Sequence, residues 1–127
     1  MKISNQNMYQ GFMSLQEIMD KVSGRLGYVV AYNMRMISNE LREYESYRNK
    51  AISDYGTPDE NGISSIPIGS DAYKHFLEEM KQYDDIEHEV NLLKVNPEDI
   101  YSSALTAKDI YNISFMINEG NGDECSG

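Results

Sequence analysis

The chain has 127 residues, 40% hydrophobic and 25% charged, a size and mix suited to one folded domain but not to two. Its formal net charge of −10 excludes ordinary binding to a phosphate backbone, which needs clustered lysine and arginine. It leaves open attraction to a basic surface, including imitation of nucleic acid. No apolar run approaches the ~18 residues of a membrane span, and MKISNQNMYQGF lacks the apolar block of a secretory signal, so a cytosolic location and no membrane partner are expected.

Ser4 or Asn5 is suited to cap a first helix, in which Met8, Phe12, Leu15, Met19 and Val22 alternate spacings of four and three and so share one stripe. Ser23-Gly24 should end it. A second helix is predicted from about residue 27 to 55, where Val30, Met34, Ile37, Leu41, Tyr44, Arg48, Ala51 and Tyr55 form a seam with one charged member. Gly56 and Pro58 stop it.

Such a rod would be about 43 Å long against about 27 Å for the first helix. Joined by a short connection, the two should form an antiparallel hairpin. The distal half of the rod, with Leu41, Tyr44, Ala51 and Ile52, then needs a cover: the C-terminal half of the chain, or a second copy in a homodimer through the long helix.

TPDENG reads as a turn, with Asn61-Gly62 favouring positive backbone angles. As a calcium loop it fails, because aligning Gly62 with the required glycine puts Thr57 at the first ligand position and Ile68 at the bidentate one. Residues 63–68 suggest an edge strand limited by Pro67. Ser70 or Asp71 should cap a helix to about Tyr83 that buries Tyr73, Phe76, Leu77 and Met80. In 86–95, Ile86, His88, Val90 and Leu92 alternate with Glu87, Glu89 and Asn91, as in a half-buried strand. Pairing of 63–68 with 86–95, parallel or antiparallel, would make a small two-stranded β element.

Asn96-Pro97 stops that strand, and Thr106 should cap a last helix carrying Ile110, Ile113 and Ile117, with Phe115 and Met116 widening the stripe. The expected fold is therefore α+β, mainly α: an antiparallel hairpin with one long helix, a two-stranded β element and two shorter helices. The globular domain should span 1–118, with 119–127 a disordered acidic tail holding the single cysteine, Cys125.

Little in this chain suggests chemistry. His75 and His88 lie in different elements with no cysteine partner, so no metal site is expected. His88 reads as a satisfied, partly buried imidazole. Phosphate-binding, dinucleotide and nucleophile-elbow motifs are absent from the sequence. The pairs Glu78-Glu79 and Asp84-Asp85 are adjacent, and neighbours on a helix point about 100° apart, a poor arrangement for acid–base work. Neither an enzyme nor a cofactor is expected.

Ten tyrosines without a tryptophan are the more informative feature. Tyr44 and Tyr55 belong to the seam, whereas Tyr28 and Tyr32 share a flank with Arg25 and Arg35, and Tyr47 shares another with Glu40 and Glu43. Tyrosine and arginine on an exposed helix face are favoured interface residues. DDIEHE adds Asp84 and Asp85 in a turn, then Glu87 and Glu89 on one strand face about 7 Å apart, near the spacing of successive phosphates. Tyr28, Tyr32, Arg35, Glu40, Glu43, Tyr47, Asp84, Asp85, Glu87 and Glu89 are accordingly the candidate partner-binding residues.

The opening MKISNQN, the helix ISNELREYESYRNKAISDYG, the turn PDENG and the closing LTAKDIYNISFMINE together resemble a family of short, uncharacterised proteins encoded by bacteriophages and prophages of low-GC Gram-positive bacteria. Gly11 and ISSIPIGSDAY depart from that pattern. The resemblance implies no catalytic residues. It implies a phage protein acting in the host cytoplasm or built into the particle.

The leading expectation is a small accessory protein that binds and inhibits a host factor by steric or nucleic-acid-mimicking blockade, as an anti-CRISPR inhibitor would. The alternatives are a virion morphogenesis or tail-assembly component and a nucleotide-signal sponge. The last requires arginines such as Arg25, Arg35 and Arg42 to cluster.

Overall fold

Ser4 is extended, and its hydroxyl accepts a bond from Asn7 N–H, so the chain turns directly from strand β1 (Lys2–Ser4) into helix α1 (Asn5–Ile18). A computed structural model describes residues 1–118. The tail expected at 119–127, with Cys125, lies outside the described residues. Helix α2 (Gly24–Glu40) packs on α1 across residues 19–23; α1 ends five residues before the expected Ser23-Gly24 stop, and Gly24, with a positive φ, opens α2 instead. Met8, Leu15, Ile18, Leu26, Val30 and Ile37 are buried in the core. Met19 is exposed and Ile18 takes its place, because α1 ends before the predicted stripe does.

The single rod predicted from 27 to 55 is two helices, α2 and α3 (Arg42–Tyr55), meeting at Leu41. Leu41 N–H still bonds Ile37 O at 2.9 Å, and Glu45 N–H bonds Leu41 O at 2.8 Å, so the interruption is local. It falls where the partner changes, since α2 lies chiefly on α1 and α3 chiefly on helix α4 (Asp71–Asp84). Burial along the seam follows the prediction: Val30, Ile37, Leu41, Tyr44 and Ala51 are buried, with Met34, Arg48 and Tyr55 half-buried.

The uncovered distal seam is closed within the chain by α4. Tyr44 donates to Asp84, Tyr47 stacks on Tyr83, Arg48 lies over Phe76, and Tyr55 stacks on His75. The partners descend in number as α3 ascends, so the two helices run antiparallel. Phe76 and Met80 are buried as expected, Tyr73 is half-buried, and Leu77 is exposed. Arg48, the charged member of the seam, holds its guanidinium 4.6 Å from the Tyr9 ring centroid and 5.6 Å from that of Phe76. Cation–π contact of this kind makes a charge tolerable at a core edge.

The β structure differs from expectation. Residues 63–68 and 86–95 do not pair with each other; the first finds a partner close by in the chain, the second at the N-terminus. Strand β2 (Thr57–Pro58) pairs antiparallel with β3 (Ser64–Ser65), and β1 pairs antiparallel with β4 (Glu87–Glu89), Ile3 opposite His88. Asp59 Oδ1 accepts from Asn61 N–H and Ile63 N–H in the turn, and only Gly62 of the Asn61-Gly62 pair has a positive φ. A Cβ on Gly56 would sit 2.5 Å from Ile52 O and 2.8 Å from Ser65 O, so close backbone approach is what requires glycine where α3 meets β3.

Beyond β4 the alternation in burial persists through Leu92, but the backbone is not strand, and Ile86 is exposed. Asn33, fully buried on α2, replaces a strand partner: its Nδ2 donates to Leu93 O at 3.0 Å and its Oδ1 accepts from Leu93 N–H at 2.8 Å. Pro97 opens a short helix not predicted, α5 (Pro97–Tyr101). Thr106 caps α6 (Ala107–Asn112) through a capping box with Asp109, and a 3₁₀ turn, Ser114–Met116, seals the core with Ile113 and Met116. Gly11 admits this turn to α1, because a Cβ there would lie 3.3 Å from the Phe115 ring.

Two outcomes test these polar anchors. Replacing Asn33 with alanine strands both peptide groups of Leu93 and should cost about 2–4 kcal/mol in chemical denaturation. Asp109 is held below the usual aspartate range, first by the Thr106 backbone N–H and then by Lys21. Its contribution is therefore present above the unfolded aspartate pKa of about 4 and is lost as pH falls through the lower folded value. D109N should flatten the acid limb of the stability-against-pH curve, followed by denaturation midpoint.

Candidate partner-binding surface

On α2, residues 28, 32 and 35 follow at spacings of four and three, which places them on one flank turned away from Leu26, Val30 and Ile37. Tyr28 is 66% exposed, and its ring stacks on Tyr32 with centroids 6.5 Å apart and planes inclined by 22°. The Arg35 guanidinium lies 5.7 Å from the Tyr32 centroid. The result is a pre-stacked column of two rings and one cation. Rigid, amphipathic groups of this kind bind with little loss of side-chain freedom.

One helical turn further on, the junction at Leu41 and the chain leaving α4 flank a groove of about 340 Å³. Glu40, Glu43 and Tyr47 line one side of it, and Tyr83, Ile86 and His88 line the other. Tyr47 is 49% exposed and stacks on Tyr83 at 4.8 Å with planes 12° apart. His88 is the half-buried imidazole expected, with Nδ1 3.4 Å from Glu40 Oε1.

The DDIEHE carboxylates do not form a uniform free row. Asp84 accepts the Tyr44 hydroxyl at 2.7 Å and is half-buried. Asp85 is the exposed C-cap of α4. Glu87 and Glu89 lie on one strand face opposite His88, as predicted, but Glu89 pairs with the N-terminal amine, which holds its carboxyl below the usual range. Glu87 instead borders a separate cleft of about 540 Å³, walled by β1, α1 and the 3₁₀ turn. The candidate residues thus fall into a column on α2, a groove beside α3, and a split acidic strand.

Asn5 also lines the groove, and no sequence signal marked it beyond its aptness as a cap. Its Nδ2 donates to Tyr83 O at 2.9 Å, while its buried Oδ1 has no hydrogen-bond partner among the described residues. Arg25 reaches Asp99 at 3.7 Å, Arg35 lies over Tyr32, and Arg42 reaches Asn39 Oδ1 at 3.4 Å. From Arg25 to Arg42 the chain rises about 25 Å, so these arginines do not cluster within one chain.

Among the described residues, no group of three or more His, Cys, Asp or Glu side chains is arranged to hold a metal ion, and no helix is long and apolar enough to cross a membrane. The chain matches no protein-family model, no curated protein and no solved structure.

Burial, and then the bond to Asp84, push the Tyr44 hydroxyl well above the usual tyrosine range. The bonded neutral phenol therefore stabilises the fold fully below the unfolded tyrosine pKa of about 10, and that contribution is lost as pH rises through the higher folded value. Ultraviolet titration should show a tyrosine step well above the usual range, and Y44F should remove it.

Proposed function

We propose that this is a small phage-encoded protein that binds a basic host protein in the bacterial cytoplasm and blocks it by occupying its surface. A nucleic-acid-binding effector of a defence system is the first target to try. One observation carries this reading: the core is already closed within one chain, yet large aromatic side chains remain outside it. Tyr28 plays no part in covering the seam, which α4 does, and Tyr47, though stacked on Tyr83, remains half exposed. Exposed, pre-stacked tyrosines beside an arginine have the composition of interface hot spots.

The charge of −10 supplies long-range attraction to a basic partner. The phage origin is supported by the order of short motifs along the chain. Coverage of the seam by α4 removes the structural need for a second copy, which favours a monomer presenting the surface to a different protein.

Affinity capture from host lysate tests the proposal. The wild-type protein should retain a host protein at low salt and release it as salt rises. The captured protein should lose its nucleic-acid binding when the acidic chain is added back. The double variant Y28A/Y32A should weaken capture by roughly tenfold or more, as loss of hot-spot side chains does. Absence of a specific partner at every salt concentration, or capture that blocks nothing, would reject the proposal.

A further inference from the structure

The groove beside α3 is chemically selective. Glu40 and Glu43 face it, and no lysine or arginine lines it. Glu43 makes no ion pair among the described residues, while Glu40 meets only His88. Among the described residues, no lysine or arginine offsets the charge of these two carboxylates.

A second observation is independent of that charge. Asn5 is 4% exposed, and its Oδ1 is the one buried side-chain nitrogen or oxygen among the described residues with no partner. The Nδ2 bond to Tyr83 O fixes the amide's orientation and leaves its acceptor unspent. A buried acceptor without a donor is destabilising, which marks this wall of the groove as incompletely satisfied.

The third is aromatic. The Tyr47–Tyr83 stack, together with Tyr44, gives the groove flat π surfaces beside its carboxylates. An occupant matched to all three features is cationic, rich in donors, free of acceptors and planar. Guanidinium has that combination, whereas an ammonium is a compact, strongly hydrated point charge that does not stack. This chain already seats guanidinium groups on rings twice, Arg48 over Tyr9 and Phe76, and Arg35 over Tyr32. At about 340 Å³ the groove is near the lower end of ligand pockets, which run from about 300 to 1,000 Å³, so it suits one long side chain better than a cofactor.

We propose that this groove receives an arginine side chain of the partner protein, its guanidinium held between Glu40 and Glu43 and against Tyr47. The inference rests on the binding reading above and names the group that the partner contributes.

The test is a nuclear magnetic resonance titration of the full ¹⁵N-labelled chain with a blocked Gly-Arg-Gly tripeptide, and with its lysine and citrulline counterparts. Saturable shifts are expected at the Asn5 side-chain amide and at Asn39, Tyr47, Tyr83 and His88, strongest with arginine and absent with the neutral citrulline peptide. E40Q/E43Q should weaken the arginine peptide by roughly tenfold, because both charge-assisted bonds are lost. E60Q, in the exposed β2–β3 turn, should leave it unchanged.

Y47L should weaken it about two- to fivefold through the lost ring face. Equal shifts with all three peptides, no saturable shift, or shifts indifferent to E40Q/E43Q would overturn the assignment. The peptide needs no host factor, so a captured partner with a silent titration would discard the groove and leave the binding function standing. A positive titration without a host partner would do the reverse.

Discussion

The fold depends on α4 running back along α3. A two-helix hairpin of α1 and α2 buries its own facing stripe, but α3 continues past the end of α1, whose Tyr9 reaches only Tyr44 and Arg48, and would leave Ala51 and Ile52 in water. Removing that apolar surface is worth about 25 cal/mol per Å², so some cover is required. α4 supplies it with Phe76 and Met80, and the Tyr44–Asp84 bond and the Tyr47–Tyr83 stack set the alignment of the two helices. The same closure makes the groove, because the chain leaving α4 passes beside the α2–α3 junction on its way to pair with the N-terminal strand.

Polar groups inside this core act as positional anchors. Asn33 satisfies both peptide groups of Leu93 and so holds an irregular segment where a strand partner is missing. Asp109 closes the capping box of α6 and reaches Lys21 at 3.0 Å, tying the last helix to the α1–α2 connection. Each spends its hydrogen-bonding capacity inside the fold. Asn5 does so only in part: its Nδ2 reaches Tyr83 O, while its buried Oδ1 has no partner among the described residues. Asp84 makes the converse case: it looks like surface charge in DDIEHE, but it is a latch.

Local chemistry was readable where one short segment decides the outcome. Ser4, Ser70 and Thr106 cap helices because a side-chain oxygen needs only the next few amides, and each is where its sequence context places it. The buried seam of α2 and α3 was readable for the same reason, since a helical stripe is periodic along the chain itself. The strands were not. β1 is three residues and β4 another three, too short for any alternation to stand out, and their pairing joins positions more than eighty residues apart.

The candidate surface divides along the same line. The flank bearing Tyr28, Tyr32 and Arg35 was legible, because residues on one helix keep their relative directions wherever the helix docks. The groove was not, because Asn5, Glu43 and Tyr83 come from three elements that meet only after α4 has folded back. By itself the sequence determined which faces are apolar, where helices begin, and how much negative charge the molecule carries, since these follow from backbone geometry and composition. Tertiary structure alone decided what covers the long seam, which carboxylates are already engaged, and which residues line the groove with Glu40 and Glu43, because contacts between distant segments depend on packing that no local pattern encodes.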